Sequence, residues 1–223
     1  MSAPAARDGT AVVVYDLDGV ITRRDSFTAV VVDRLRRAPL RLLKALPAVV
    51  PMVLSMRADR RQRAARRVAQ IALGGLHEPG YITLATAFGR RIGASPSWVR
   101  DETVQRIRRQ HAEGARIVIA TATERRLAEV LLTAAGVPYD LLSASALIET
   151  PSGMKFADHR VGMRKAEALR EQGVPIEAAE FVTDSLADLP TARAAGRVVL
   201  IGASPRTRRR YARAGVSLAG PVM

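Results

Sequence analysis

Val12-Val13-Val14-Tyr15-Asp16-Leu17-Asp18-Gly19-Val20 is the stretch on which the fold turns. Four apolar residues, three of them β-branched, read as a strand buried on both faces. Two carboxylates follow at once, two residues apart. Alternate side chains of an extended chain share a face, so Asp16 and Asp18 can point the same way. Gly19 then permits a sharp turn and a close approach to the backbone. Like charges at the mouth of a buried strand repel unless a cation or a proton lies between them. The same residues would also suit a solvated Asp-x-Asp-Gly turn, and the decision falls to the rest of the chain.

A chain of 223 residues with 48% apolar content fits one domain, or a core with a modest insertion. Cysteine is absent, which excludes disulfides, thiolate metal sites and a cysteine nucleophile and fits a reducing compartment. Met1 to Thr10 carries no apolar signal-peptide core, so a cytoplasmic protein is expected. The net charge of +14 is unevenly spread. Thr22 to Arg100 holds 16 Lys and Arg against 4 Asp and Glu, whereas the remainder holds 19 against 17. That concentration points to an anionic partner for one segment. Biased codon usage accounts for Arg over Lys but not for the local imbalance.

From Arg23 to about Arg91 the pattern is helical throughout. A first helix is expected over Ser26 to Arg37, and a second over Leu40 to Met56, broken by Pro47 and Pro51. A third is capped by Asp59 and carries the stripe Val68, Ile71, Ala72. Gly74-Gly75 ends it, and Pro79 to Ile92 supplies a fourth. From Ser95 the grammar changes. Ser95-Pro96 is expected to open a helix reaching His111. The strands read next are Ile117 to Ala120, a short one at Leu141-Leu142, a hairpin around Pro151-Ser152-Gly153, then Phe181 to Thr183 and Val198 to Ile201. Helices lie between them, and Arg206 to Arg213 forms a last, basic one. Such alternation predicts an α/β fold with a parallel sheet covered on both faces, whose ligands gather at the carboxyl ends of the strands. Asp16, Asp18, Thr121 and Asp184 all stand at such ends.

Three carboxylates plus a backbone carbonyl make a hard oxygen site suited to magnesium, which also binds phosphate. A carboxylate can attack phosphorus if a cation offsets the repulsion, a second carboxyl protonates the leaving oxygen, and hydroxyl and ammonium donors surround the phosphate. Asp16, Asp18, Thr121, Lys165, Asp184 and Asp188 supply these parts in order. Singly, each has a plainer use: Thr121 as a helix cap, Lys165 as a solvated lysine, Asp184 as a strand-end cap and Asp188 as a surface residue.

In this set of motifs the chain resembles the haloacid dehalogenase-like (HAD) superfamily over nearly its whole length. The resemblance implies a Rossmann-like core over 1–22 and 95–223, with a helical cap inserted at 23–94. It implies Asp16 as nucleophile and Asp18 as general acid and base. Thr121 and Ala122 would bind the phosphoryl group, joined by Lys165 from Gly162-Met163-Arg164-Lys165. Asp16, Asp18 and Asp184 would hold Mg2+, with Ser185 and Asp188 supporting from behind. Val20 stands where the family usually has Thr, and Thr183 where Gly is common.

The insertion is similar to that of the phosphoserine phosphatase group. There a Glu nine residues after the nucleophile holds the substrate amine; here Asp25 takes that place, or simply caps the helix at Ser26. The insertion also resembles that of bacterial phosphatidylglycerophosphatases of the C type, in Asp25-Ser26-Phe27, Arg36-Arg37-Ala38-Pro39-Leu40 and the proline-containing apolar stretch after Leu46. Ala45 to Met56, 12 residues, is too short to span a bilayer. It could lie at an interface between its basic flanks, peripheral to the inner face of a membrane, or be buried as an ordinary helix. The expected activity is magnesium-dependent hydrolysis of a phosphomonoester, either a phospholipid head-group phosphate or a small soluble one such as phosphoserine. A non-catalytic basic protein holding membrane or nucleic acid is the contrasting class. Filled catalytic positions and sparse aromatics, only Phe27, Tyr81, Phe88 and Trp98 across the insertion, count against it.

Overall fold

The computed structural model describes residues 10–54 and 58–219. The reading of the extreme N-terminus and the places of Met56 and Arg57 therefore lie outside the described residues, as does the Asp59 side chain.

Strand β1 (Val12–Tyr15) lies inside a six-stranded sheet. It pairs in parallel with β2 (Arg116–Glu124) on one side and β5 (Glu180–Thr183) on the other. Strand β3 (Leu141–Thr150) extends the sheet beyond β2 and β6 (Arg197–Leu200) beyond β5. An antiparallel edge, β4 (Gly153–Asp158), completes the order β4-β3-β2-β1-β5-β6. Alternation assigns the two faces. Val13 and Tyr15 join a cluster with Ile107, Leu127 and Leu131, from α5 (Asp101–Ala112) and α6 (Arg125–Ala134). Val14 joins Leu169, Phe181 and Tyr211 on the other face, beside α7 (Met163–Glu171), α8 (Leu189–Ala194) and α9 (Pro205–Arg213). Both faces are covered, as the unbroken apolar run predicts.

Between β1 and α5 come α1 (Ser26–Arg36), α2 (Pro39–Leu54), α3 (Ala58–Leu73) and α4 (Glu78–Gly93). Two expectations fail here. Helix α2 runs unbroken through Pro47 and Pro51, although neither proline has a backbone N–H to give. A single missing bond per proline does not end a helix held by packing against its neighbour α3. Nor does a helix open at Ser95-Pro96. The N–H groups of Trp98 and Val99 both donate to Ser95 O, folding the segment into a turn, and α5 starts only at Asp101. Val99 instead pairs antiparallel with Thr22, flanked by Arg23 N to Trp98 O at 2.7 Å and Arg100 N to Ile21 O at 2.8 Å. The two chain crossings into and out of the helical block are thus tied side by side.

Strand β3 is longer than its Leu-Leu signal because Ser143 and Ser145 are buried within it. Arg160 Nη1 donates to Ser143 Oγ at 2.8 Å, and Arg160 N to Ser145 Oγ at 3.0 Å. The expected hairpin forms, and its tip abuts the helical block: Gly75 N donates to Ser152 O at 3.0 Å. Gly153 has φ +113°, and a Cβ there would strike the Leu73 carbonyl. Only glycine allows this approach.

Candidate active site

The carboxyl ends of β1, β2 and β5 meet in a cleft of about 350 Å³. Its walls include Asp16, Asp18, Ala122, Lys165, Asp184 and Asp188. Asp16 follows the last residue of β1, and its N–H donates to Val182 O at 2.9 Å, so sheet pairing continues through it. Its Oδ1 accepts from Leu17 N at 2.9 Å and from Lys165 Nζ at 3.1 Å; no hydrogen bond from the described residues reaches Oδ2. Lys165 comes from the first turn of α7 and is fully buried. Its ammonium also meets Asp188 Oδ1 at 2.7 Å. Burial works to lower the Lys165 pKa, but Asp16 and Asp188 outweigh it and the net shift is upward, so the group stays charged.

Asp18 is held differently. Its Oδ1 accepts from Ser26 N at 2.8 Å and Thr22 Oγ1 at 3.2 Å, and its Oδ2 from Thr123 Oγ1 at 2.6 Å. The carboxylate thus rests on the N-terminus of α1, a favourable seat for negative charge. Burial, with the nearby charge of Asp25, nevertheless raises its pKa to about 6. Burial also raises Asp16 well above the ordinary range, and burial with Asp188 lifts Asp184 to about 6.

Asp184 follows β5 and lies against Gly19, whose φ is +82° and where any Cβ would fall inside the Asp184 carboxylate. Among the described residues no three His, Cys, Asp or Glu side chains converge as a metal-binding group. Of the three expected carboxylates, all of which line the cleft, Asp18 has both oxygens engaged by the donors of α1, Thr22 and Thr123. Two carboxylates with carbonyl and water oxygens still suit magnesium, which is usually bound by one or two carboxylates plus a phosphate.

Thr121 is fully buried, with Oγ1 accepting from Thr123 N at 3.0 Å; Ala122, not Thr121, lines the cleft. Asp25 lines the cleft too, but its Oδ1 caps α1 by accepting from Thr28 N at 2.6 Å. Ser185 caps the 3₁₀ turn Leu186–Asp188, with Oγ accepting from Ala187 N at 3.1 Å.

Several residues of the site carry no signal in the sequence. Thr123 and Ser26, 97 positions apart, share a hydroxyl contact at 3.0 Å beside Asp18. Tyr211, on α9, donates to Ser185 O at 2.8 Å. Arg100 Nε donates to Gly19 O at 3.2 Å. The Thr at 183 has its explanation here: Oγ1 donates to Asp188 Oδ2 at 2.8 Å and accepts from Ser185 N at 3.2 Å, so it fixes the carboxylate that faces Lys165. A Gly there would do neither.

The sequence pattern of the haloacid dehalogenase-like hydrolases matches residues 13–193. The chain belongs to that family. The HAD fold also recurs among solved structures that align with nearly the whole chain. A protein of unknown function from Bordetella pertussis Tohama I is 18% identical with a TM-score of 0.66, covering 95% of this chain and 98% of that one. A phosphoserine phosphatase in apo form is 12% identical with a TM-score of 0.61, covering 94% and 92%. A phosphoserine phosphohydrolase-like protein from Francisella tularensis subsp. tularensis SCHU S4 is 13% identical with a TM-score of 0.63, covering 94% and 95%. No curated protein matches this HAD chain. At these identities the likeness is one of fold.

Proposed function

We propose that this HAD hydrolase is a phosphomonoesterase that passes the phosphoryl group through Asp16. The observation that carries the reading is the unequal treatment of the two Asp16 oxygens. Lys165 and the Leu17 N–H hold Oδ1, while no hydrogen bond from the described residues engages Oδ2, the oxygen left for nucleophilic attack. Oδ2 forms the new bond to phosphorus as the bond to the leaving oxygen breaks, and the Asp18 carboxyl gives that oxygen its proton. Water then attacks phosphorus, Asp18 takes the water's proton, and the bond to Asp16 breaks to release phosphate. Asp18, with a pKa of about 6, suits both duties near neutral pH. Lys165 and Ala122 border the phosphoryl position. Bound Mg2+, held by Asp16 and Asp184, would offset the charge between nucleophile and phosphate. Helices α1–α4 would act as the lid that excludes water.

For the substrate we favour a phosphate carried on an amphiphile over phosphoserine. Asp25, the candidate partner for an amine, already has one oxygen engaged by the α1 N-terminus, and α2 turns apolar side chains outward. The test is phosphate release with and without Mg2+, from detergent-dispersed lipid phosphates, phosphoserine and an aryl phosphate. Lipid phosphate should be turned over with the highest kcat/KM. A preference for phosphoserine would reverse the substrate choice, and no release from any of them would end the phosphatase reading.

A further inference from the structure

Among the described side chains of helix α2, the ones turned inward are Ala45, fully buried, and Arg41, Ala48 and Val49, half-buried. Of its described large side chains Leu42 is 39% exposed, and five others are more so: Leu40 76%, Leu43 62%, Leu46 47%, Val50 55% and Leu54 74%. At about 100° per residue these five fall within roughly a third of the helix circumference, a continuous stripe and not scattered exposure. Single exposed leucines need no explanation, but a contiguous apolar face on one helix marks something that covers it.

The surroundings identify the covering. Residues 34–77 hold 11 Lys and Arg and one Asp. Arg36 and Arg37 end on the approach to α2, and Lys44 stands exposed on it. Helix α3 packs beside α2 and turns Arg60, Arg63 and Arg67 to solvent at i, i+3 and i+7, one face of that helix. An apolar stripe beside cations fits a surface with negative headgroups over hydrocarbon. A second copy of the chain would set two such basic segments against each other. Nucleic acid would satisfy the arginines and leave the leucines in water.

We propose that α2 docks on an anionic lipid surface, lying in the interface plane with Leu40, Leu43, Leu46, Val50 and Leu54 inserted and the neighbouring arginines at the headgroups. No helix among the described residues is long and apolar enough to cross a membrane, so the contact lies along the surface. The docking deepens the reading of the site as one for an amphiphilic phosphate and rests on it only for its purpose.

The test is flotation of the full chain with vesicles of phosphatidylcholine alone or mixed with phosphatidylglycerol, at low and physiological salt. Asp16→Asn protein without Mg2+ is used, so that the result is independent of hydrolysis. The protein should float with the mixed vesicles and not with phosphatidylcholine alone. Replacing Leu43 and Leu46 with Gln should leave binding at low salt and abolish it at physiological salt, where screening acts over about 8 Å. Replacing Arg60 and Arg67 with Gln should weaken binding to mixed vesicles about tenfold or more. All these positions are exposed, and an unchanged circular dichroism spectrum and melting temperature will verify the fold. Protein that stays in solution with mixed vesicles at low salt overturns the proposal. So does a dimer that the Leu variant dissociates, or binding to duplex DNA that the Leu variant retains while vesicle binding is absent.

Discussion

The Lys165 ammonium stands 2.7 Å from Asp188 Oδ1, closer than the 3.1 Å that separates it from the proposed nucleophile. All three groups are buried, so the lysine is a shared counter-ion and not a surface charge. Removing one partner of a buried pair costs about 3–5 kcal/mol, because the other is left uncompensated. Lys165→Met should therefore lower the melting temperature as well as activity. Asp188→Asn, which keeps shape and leaves Asp16 as partner, should lose less stability but still lower kcat. Equal melting temperatures for Lys165→Met and the unaltered protein would show that the pair is not buried in solution.

Thr183→Val removes the hydroxyl that holds Asp188 without changing volume. The loss should be about 1.5–3 kcal/mol in urea unfolding, the range for a bond to a charged group. Asp188 is then free to turn from Lys165, so kcat should fall with KM little changed. Restoration of both by Thr183→Ser would tie the effect to the hydroxyl.

Asp16, Asp18 and Asp184 all have folded-state pKa values raised above the ordinary carboxylate range, the last two to about 6. A raised folded pKa gives stability that is present at low pH and lost as pH rises through it. The metal-free protein is therefore penalised at neutral pH by its own site. Mg2+ should relieve that penalty, raising the melting temperature more at pH ~7.5 than at pH ~5. The difference should vanish in Asp16→Asn/Asp184→Asn. An Mg2+ shift of equal size at both pH values would separate metal binding from these carboxylates.

His159 gives the opposite slope. Burial, with Arg66 nearby, lowers its pKa to about 4, while its ring stacks on Phe156 at 4.3 Å and its Nδ1 has no hydrogen-bond partner. A depressed histidine pKa gives stability that is full above about 6.5 and lost as pH falls toward 4. The loss is on the order of 3 kcal/mol across that window. Urea midpoints between pH ~4 and ~7 should fall with acid less steeply in His159→Gln than in the unaltered protein.

The sheet, its order of elements and the cleft at its carboxyl edge were legible because buried parallel strands write long apolar runs and their ends carry the acids. Asp16, Asp18, Lys165, Asp184 and Asp188 line one cleft. What stayed hidden depends on partners far along the chain. The orientation of Asp18 is set by Ser26 N and Thr123, and that of Asp188 by Thr183. Burial of Ser143 and Ser145 depends on Arg160, which periodicity in β3 cannot reveal. Pro47 and Pro51 misled for the same reason, since propensity is local and packing is not.

The most direct test of a phosphoryl group carried on Asp16 is to catch it there. Asp18→Asn protein with Mg2+ is mixed with an aryl phosphate, whose leaving group needs no proton, and quenched in acid within a turnover. Without Asp18 as base, hydrolysis of the acyl phosphate is slowed and the intermediate accumulates. Mass spectrometry should then find one phosphoryl group, on the peptide that contains Asp16, and none in Asp16→Asn/Asp18→Asn. Phosphoryl on another residue, or full turnover by Asp16→Asn, would contradict the account.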